Sequence, residues 1–252
     1  MNSKGCDMKT KIIGIVSVKG GVGKTSITSN LGAVLAKHFG KKVLLVDGNF
    51  SAPNLAMHLG VVQPEVTIHD VLDGKQHVFS AVHDFENKFH FIPASLHYPK
   101  RVSYDTFKSK LKHFSGKYDY ILIDASPSHE IHATLDAADA LLVVLSPDFP
   151  TVSTSVSTVR LIEKAKKPLL GLVLNRVQKK SFELKRKEIE DTLGYSVLTT
   201  LPEDQKMFHS LAAMRPFTYL YPKRKLTQRY ISLAEHVTGE TLTEKRSWWW
   251  PF

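Results

Sequence analysis

The chain has 252 residues, with 34 Lys or Arg against 24 Asp or Glu and a formal charge of +10. That length suits one large domain, and no Gly-, Pro- or Ser-rich stretch is long enough to link two. A single cysteine, Cys6, excludes an intrachain disulfide and any multi-cysteine metal or iron–sulfur site built within one chain.

In chain order, the opening "MNSKGCDMKTK" lacks the apolar centre of a secretion signal, and no apolar run approaches the ~18 residues of a membrane span, so a reducing, cytoplasmic setting is expected. Short apolar runs then alternate with amphipathic stretches. Strands are expected at 11–18, 42–47, 118–124, 140–146, 169–175 and 195–202, several apolar at consecutive positions as in strands covered on both faces. Helical spacing occupies 24–39, 103–115, 149–166, 181–193 and 203–213. This alternation predicts an α/β fold: a single domain with a mainly parallel sheet, helices on both faces, and ligands at the carboxyl ends of the strands. The domain is placed at 11–239, between a polar segment (1–10) and a basic-aromatic tail (240–252).

The loop after the first strand reads "SVKGGVGKTS" (17–26). A phosphate-binding loop, G-x-x-x-x-G-K-[ST], would put its first glycine at Val18, and a second lysine, Lys19, follows that position. Gly20, Gly21 and Gly23 still permit a backbone whose amides point inward, and a helix amino terminus follows, which makes an anion cradle. Lys24 can reach terminal phosphates and Thr25 can ligate magnesium. The bland alternative is a glycine-rich turn that binds nothing. Asp47, Asp124 and Asn175 end three of the expected strands, so they converge on the rim that carries this loop.

"KGGVGKT" resembles the deviant Walker A loop of the MinD/ParA family of ATPases, a class of P-loop NTPase in which a signature lysine precedes the glycine pair. "VLLVDGNFSAPNLAMHLG" (43–60) is similar to the family's first switch, "YDYILIDASPS" (118–128) to its Walker B strand and second switch, and "LVLNRV" (172–177) to its adenine-binding strand end. "LPEDQKM" (201–207) is similar to the segment that closes over the base, so the resemblance covers nearly all of 11–239.

The resemblance implies ATP and Mg2+ as cofactors. It places Lys19, Gly20, Gly21, Val22, Gly23, Lys24, Thr25, Ser26, Asn175, Arg176, Pro202 and Glu203 around ATP. Thr25, Asp47 and Asp124 are implied at the metal, and Lys19, Lys24, Asp47 and Asn49 in catalysis. Lys19 would reach across a homodimer to the partner's nucleotide. The family often carries a second acid where Asn49 stands; an amide can orient water without taking its proton, so slowed hydrolysis is expected.

The chain's three tryptophans all lie in the tail, at Trp248, Trp249 and Trp250, followed by Pro251 and Phe252 and preceded by Lys245 and Arg246. Three adjacent indoles cannot share one face of a helix, whereas tryptophan favours the membrane interface and the two cations suit anionic headgroups. A tail folded back onto the domain, or docked on a protein, is the competing expectation.

Three other features read more plainly. His129 and His132 have a spacing that could hold a metal, but no further ligand accompanies them. "TVSTSVST" (151–158) keeps valines at helical spacing and reads as an amphipathic helix. "RPFTYLYPKRK" (215–225) could touch nucleic acid but reads more simply as a loop before the last helix. Together the chain is expected to be a dimerising ATPase switch that attaches peripherally to an anionic membrane and answers to an activating protein partner. The alternatives are a ParA-like ATPase on non-specific DNA, which the basic charge favours, and an ATP-binding scaffold or sensor with negligible turnover.

Overall fold

A computed structural model describes residues 9–98, 103 and 105–242. Its strands are β1 (Lys11–Val16), β2 (Val43–Gly48), β3 (His83–Phe85), β4 (Phe89–Ile92), β5 (Tyr120–Ala125), β6 (Ala140–Leu145), β7 (Leu169–Val177) and β8 (Val197–Pro202). They form one sheet in the order β3-β4-β2-β5-β1-β6-β7-β8, parallel except for β3, which runs antiparallel to β4. The helices are α1 (Lys24–Phe39), α2 (Leu55–His58), α3 (Ile68–Leu72), α4 (Phe107–Lys112), α5 (Ile131–Ala137), α6 (Phe149–Lys164), α7 (Arg186–Leu193), α8 (Lys206–Ala212), α9 (Phe217–Leu220) and α10 (Lys225–Thr238).

Both faces of the sheet are covered, which is why its strands read as continuous apolar runs. Alternate residues of one strand point to opposite sides. On β2, Leu45 enters the core built with Leu31 and Leu35 of α1 and Tyr230 and Leu233 of α10, while Leu44 and Val46 enter a second core with Phe107 and Leu111 of α4. Leu141 and Val143 of β6 meet Val152, Val159 and Ile162 of α6 in a third. The valine face expected in 151–158 is therefore the buried face of α6.

Several expectations are corrected. The β3–β4 hairpin was not expected, because His83, Asp84 and His90 interrupt its apolar pattern; its three-residue connection contains a turn closed by Lys88 N–H to the Phe85 carbonyl at 2.9 Å, with Glu86 and Asn87 at its centre at φ of 51° and 55°, as in a type I′ turn. The helix expected from residue 181 begins at Arg186, since the Glu183 carboxylate accepts the N–H groups of Gln178, Lys179 and Lys180 and holds them in a turn. The helix expected at 203–213 begins at Lys206, whose N–H is taken by Asp204 Oδ1 at 3.0 Å. Among the described residues no helix is long and apolar enough to cross a membrane. The tail from residue 243 onward, with Lys245, Arg246, Trp248, Trp249, Trp250 and Phe252, lies outside the described residues.

Candidate functional site

The loop between β1 and α1 lies on the carboxyl rim, as chain order requires. Gly21 and Gly23 have φ of 76° and 99°, and Gly23 is the residue from which α1 starts. A Cβ at Gly23 would stand 2.3 Å from Asn175 Nδ2, which instead donates to the Val22 carbonyl at 2.8 Å. The end of β7 is thereby fastened to the loop. Val22 contributes only backbone here, because its side chain is buried in the core. Gly20 is exposed, with Pro127 of the segment after β5 against it. Ser26 sits in the first turn of α1, where its carbonyl accepts from Ser29 Oγ at 3.1 Å and Asn30 Nδ2 at 2.8 Å.

Behind the loop three charged side chains share a buried space. Lys24 donates from Nζ to the Lys19 carbonyl at 3.2 Å; burial lowers its pKa, and Asp124 opposes that shift. Asp47 and Asp124 are neighbours in register on β2 and β5, both buried. Burial raises the pKa of each, the Asp124 charge adds to the rise at Asp47, and Thr25 and Lys24 restrain it at Asp124. Thr25 Oγ1 donates to Asp124 Oδ2 at 2.6 Å, while Asp124 Oδ1 is buried without a partner. An orphaned carboxylate oxygen beside a threonine hydroxyl and a second carboxylate is a donor set that suits a hard divalent cation, so the residues present fit magnesium.

Asp47, expected beside the metal, also organises the first switch segment. Its Oδ1 accepts the N–H of Asn49 at 3.0 Å and its Oδ2 those of Asn54 at 3.2 Å and Leu55 at 3.0 Å, so both oxygens are engaged in holding the loop that leads into α2. Asn49 belongs to the same loop, and its amide nitrogen donates to the Ala52 carbonyl. Its side-chain Oδ1 and the second hydrogen of its amide can still meet a water. Ser51 bonds through both N–H and hydroxyl to the Glu130 carboxylate, tying this loop to the segment before α5.

A family model described as an AAA domain matches residues 10–172. An uncharacterized ATP-binding protein of Methanocaldococcus jannaschii is 34% identical over 233 residues, covering 90% of this chain and 88% of that protein. The septum site-determining protein MinD of Thermotoga maritima is 30% identical over 241 residues, covering 91% and 88%. The chain belongs to the MinD/ParA family of ATPases. Among solved structures, the septum site-determining protein MinD of Pyrococcus horikoshii, complexed with Mg-ADP, matches with a TM-score of 0.85 at 30% identity, covering 90% of this chain and 96% of that one.

The remaining residues expected around the nucleotide fall on the same rim. Arg176 is exposed, with φ of 58°, and follows Asn175 where β7 loses regular register with β8. Pro202 ends β8, and Glu203 donates its N–H to the Val177 carbonyl at 3.1 Å and accepts from Gln178 Nε2. Thus Asn175, Arg176, Pro202 and Glu203 occupy two adjacent strand ends beside the loop.

Lys19, expected as the signature lysine, is held within its own chain. Its Nζ donates to Asp148 Oδ1 at 3.2 Å and to Thr151 Oγ1. Asp148 also accepts the N–H of Thr151 at 2.9 Å, capping α6, and bonds to Ser146 and Lys19 hold its carboxyl well below the usual range against the opposing effect of burial. Thr158 accepts the N–H of Val18 at 3.3 Å. Sequence reading missed Asp148, Thr151 and Glu130 as members of the site. "SPDFPT" does carry the signal of an N-cap, an acceptor followed by Pro in the first turn; nothing in it points 129 residues back to Lys19.

The histidine pair is close, with ring centroids of His129 and His132 5.1 Å apart. Among the described residues, no three or more His, Cys, Asp or Glu are grouped to hold a metal. Within 215–225, expected as a loop, Phe217–Leu220 form the short helix α9, whose Phe217 ring is fully buried and whose Thr218 N–H donates to Asn30 Oδ1 at 2.9 Å, while Lys223, Arg224 and Lys225 are exposed.

Proposed function

We propose that this family member is an ATP-dependent dimerising switch of the MinD type, which hydrolyses ATP and attaches reversibly to the membrane for intracellular positioning such as division-site placement. The observation that carries this reading is the setting of Lys19. Its side chain lies at the rim in the phosphate loop, 38% exposed, and its hold is a side-chain ion pair that can be exchanged. In the dimer, Lys19 leaves Asp148 and Thr151 and meets the phosphates bound by the partner.

Within one chain, the amides of 20–24 cradle phosphate oxygens and Lys24 meets the terminal groups. Thr25, Asp124 and the adjacent Asp47 would hold magnesium, which when bound neutralises charge on the phosphate oxygens. Asn175, free at Oδ1, offers an acceptor to the amino group of adenine, with Arg176, Pro202 and Glu203 around the base. Asp47 sets the loop that brings the Asn49 carbonyl to the attacking water, and hydrolysis is slow because no carboxylate stands there to accept the proton. The Ser51–Glu130 bond makes the two switch segments respond together. A protein partner that completes the site would stimulate turnover.

A weak tail becomes an effective anchor when a dimer presents two copies, and this couples attachment to nucleotide. The test combines sedimentation with tail fluorescence. With a non-hydrolysed ATP analogue the wild type should dimerise, and Lys19→Ala should remain monomeric while still binding the analogue. Since every tryptophan is in the tail, anionic liposomes should shift emission to the blue only with the analogue. Dimerisation of Lys19→Ala sinks the exchange mechanism, and DNA binding without any blue shift sinks the membrane reading in favour of the ParA-like one.

A further inference from the structure

At the amino ends of β2, β4 and β5, the pole opposite the nucleotide loop, lies a cavity of about 870 Å3, within the ~300–1,000 Å3 of small-ligand sites. Phe89, Phe114 and Tyr118 form its apolar wall, and Phe79, 41% exposed, stands at its mouth. Lys41, Lys42, Lys88 and Lys117 line it together with a single acid, Asp84. Two of these lysines are committed elsewhere: Lys41 pairs with Glu240, and Lys88 pairs with Glu86 at 2.8 Å. The ammoniums of Lys42 and Lys117 make no ion pair among the described residues, and that of Lys117 lies 5.2 Å from the centre of the Phe79 ring. Nothing in the nucleotide chemistry uses this pole.

An aromatic wall with unpaired cations at the rim fits a molecule with an anionic head and an apolar body. The end of the described chain narrows the choice. Glu240 reaches Lys41 on the cavity rim, and Leu242 packs against the core beside α10, so the described chain ends at this same pole, a few residues before Trp248 in the sequence. We infer that the cavity is a headgroup site for an anionic phospholipid, placed where the tail would bring the protein against lipid. This deepens the membrane reading above and rests on it. The tail supplies apolar insertion, and the cavity selects the charge of the headgroup. Each cation near an anionic surface strengthens attachment about fivefold, so removing Lys42 and Lys117 together weakens it about 30-fold.

The decisive experiment titrates the full chain with monomeric dihexanoyl-phosphatidylglycerol while NMR follows His90 and Tyr118. Saturable shifts are expected, absent with dihexanoyl-phosphatidylcholine, and weakened tenfold or more in Lys42→Ala/Lys117→Ala, whose binding of an ATP analogue stays unchanged. Equal binding by the double variant overturns the inference. So does an equal response to inorganic phosphate, or a shift produced without lipid by replacing the three tryptophans with serine, which would show the tail itself in the cavity. Phosphatidylglycerol vesicles separate the two readings. If the wild type binds the short-chain lipid but no vesicle, the membrane reading fails and the site stands. If vesicles bind while the short-chain lipid gives no response, the site fails and the membrane reading stands.

Discussion

Replacing Asp148 by Asn should strengthen ATP-dependent dimerisation. Asparagine keeps a side-chain oxygen at the cap of α6, so the helix is preserved, while the charge that holds Lys19 Nζ at 3.2 Å is removed. Both partners are 38% exposed, which makes this a solvent-screened pair worth ~0.2–1 kcal/mol. Two such pairs open when a dimer forms, so the variant gains ~0.4–2 kcal/mol, a dimer dissociation constant about 2- to 30-fold lower. Sedimentation velocity over a concentration series with a non-hydrolysed ATP analogue and magnesium measures it, and raised salt should shrink the difference. A dissociation constant that is unchanged or higher refutes the claim that Asp148 competes with the partner's phosphates for Lys19.

Other sites give independent tests. Asn49→Asp supplies a proton acceptor and should raise phosphate release by up to ~10²-fold, while losing the bond to Ala52 and lowering stability by ~1–3 kcal/mol; unchanged or lower turnover counts against the role given to Asn49. Asp124→Asn relieves the repulsion on Asp47 but removes the charge that faces buried Lys24, so the nucleotide-free protein should melt at a lower temperature. The same variant should lose the stabilisation that Mg-ATP gives the wild type, ~2.7 kcal/mol at a hundredfold excess over Kd, and a higher melting point without nucleotide would show that the carboxylate repulsion outweighs the attraction to Lys24. Burial holds His58 neutral, its pKa lowered from 6.5 to about 4. The unfolded chain therefore binds its proton first, and the stability present above pH 6.5, at most ~3 kcal/mol, is lost as pH falls toward 4. His58→Leu should flatten that limb in denaturant titrations at graded pH, and an unaltered slope would exclude His58 as its source.

The parallel strands were legible because each is covered on both faces and so reads as an uninterrupted apolar run. The β3–β4 hairpin was not, since its polar positions are satisfied by tertiary partners: His83 bonds the Val66 carbonyl at 3.0 Å and His90 bonds Tyr118 at 2.9 Å. In the candidate site, glycines and Lys24 were readable because the loop's chemistry is carried by a contiguous stretch. Asp148 and Glu130 were not, because each acts on a loop that the chain reaches only after folding.

By itself the sequence determined the loop, the alternation of strands and helices, and the family, all of which depend on residues a few positions apart. Tertiary structure decided which atoms remain free. It placed Lys19 on Asp148, engaged both oxygens of Asp47 with backbone N–H groups of the loop before α2, and left Asp124 Oδ1 without a partner among the described residues. It also gathered Lys42 and Lys117 around one apolar cavity. The physical reason is that local spacing governs backbone conformation, whereas the pairing and desolvation of a charge depend on groups brought together only when the sheet closes.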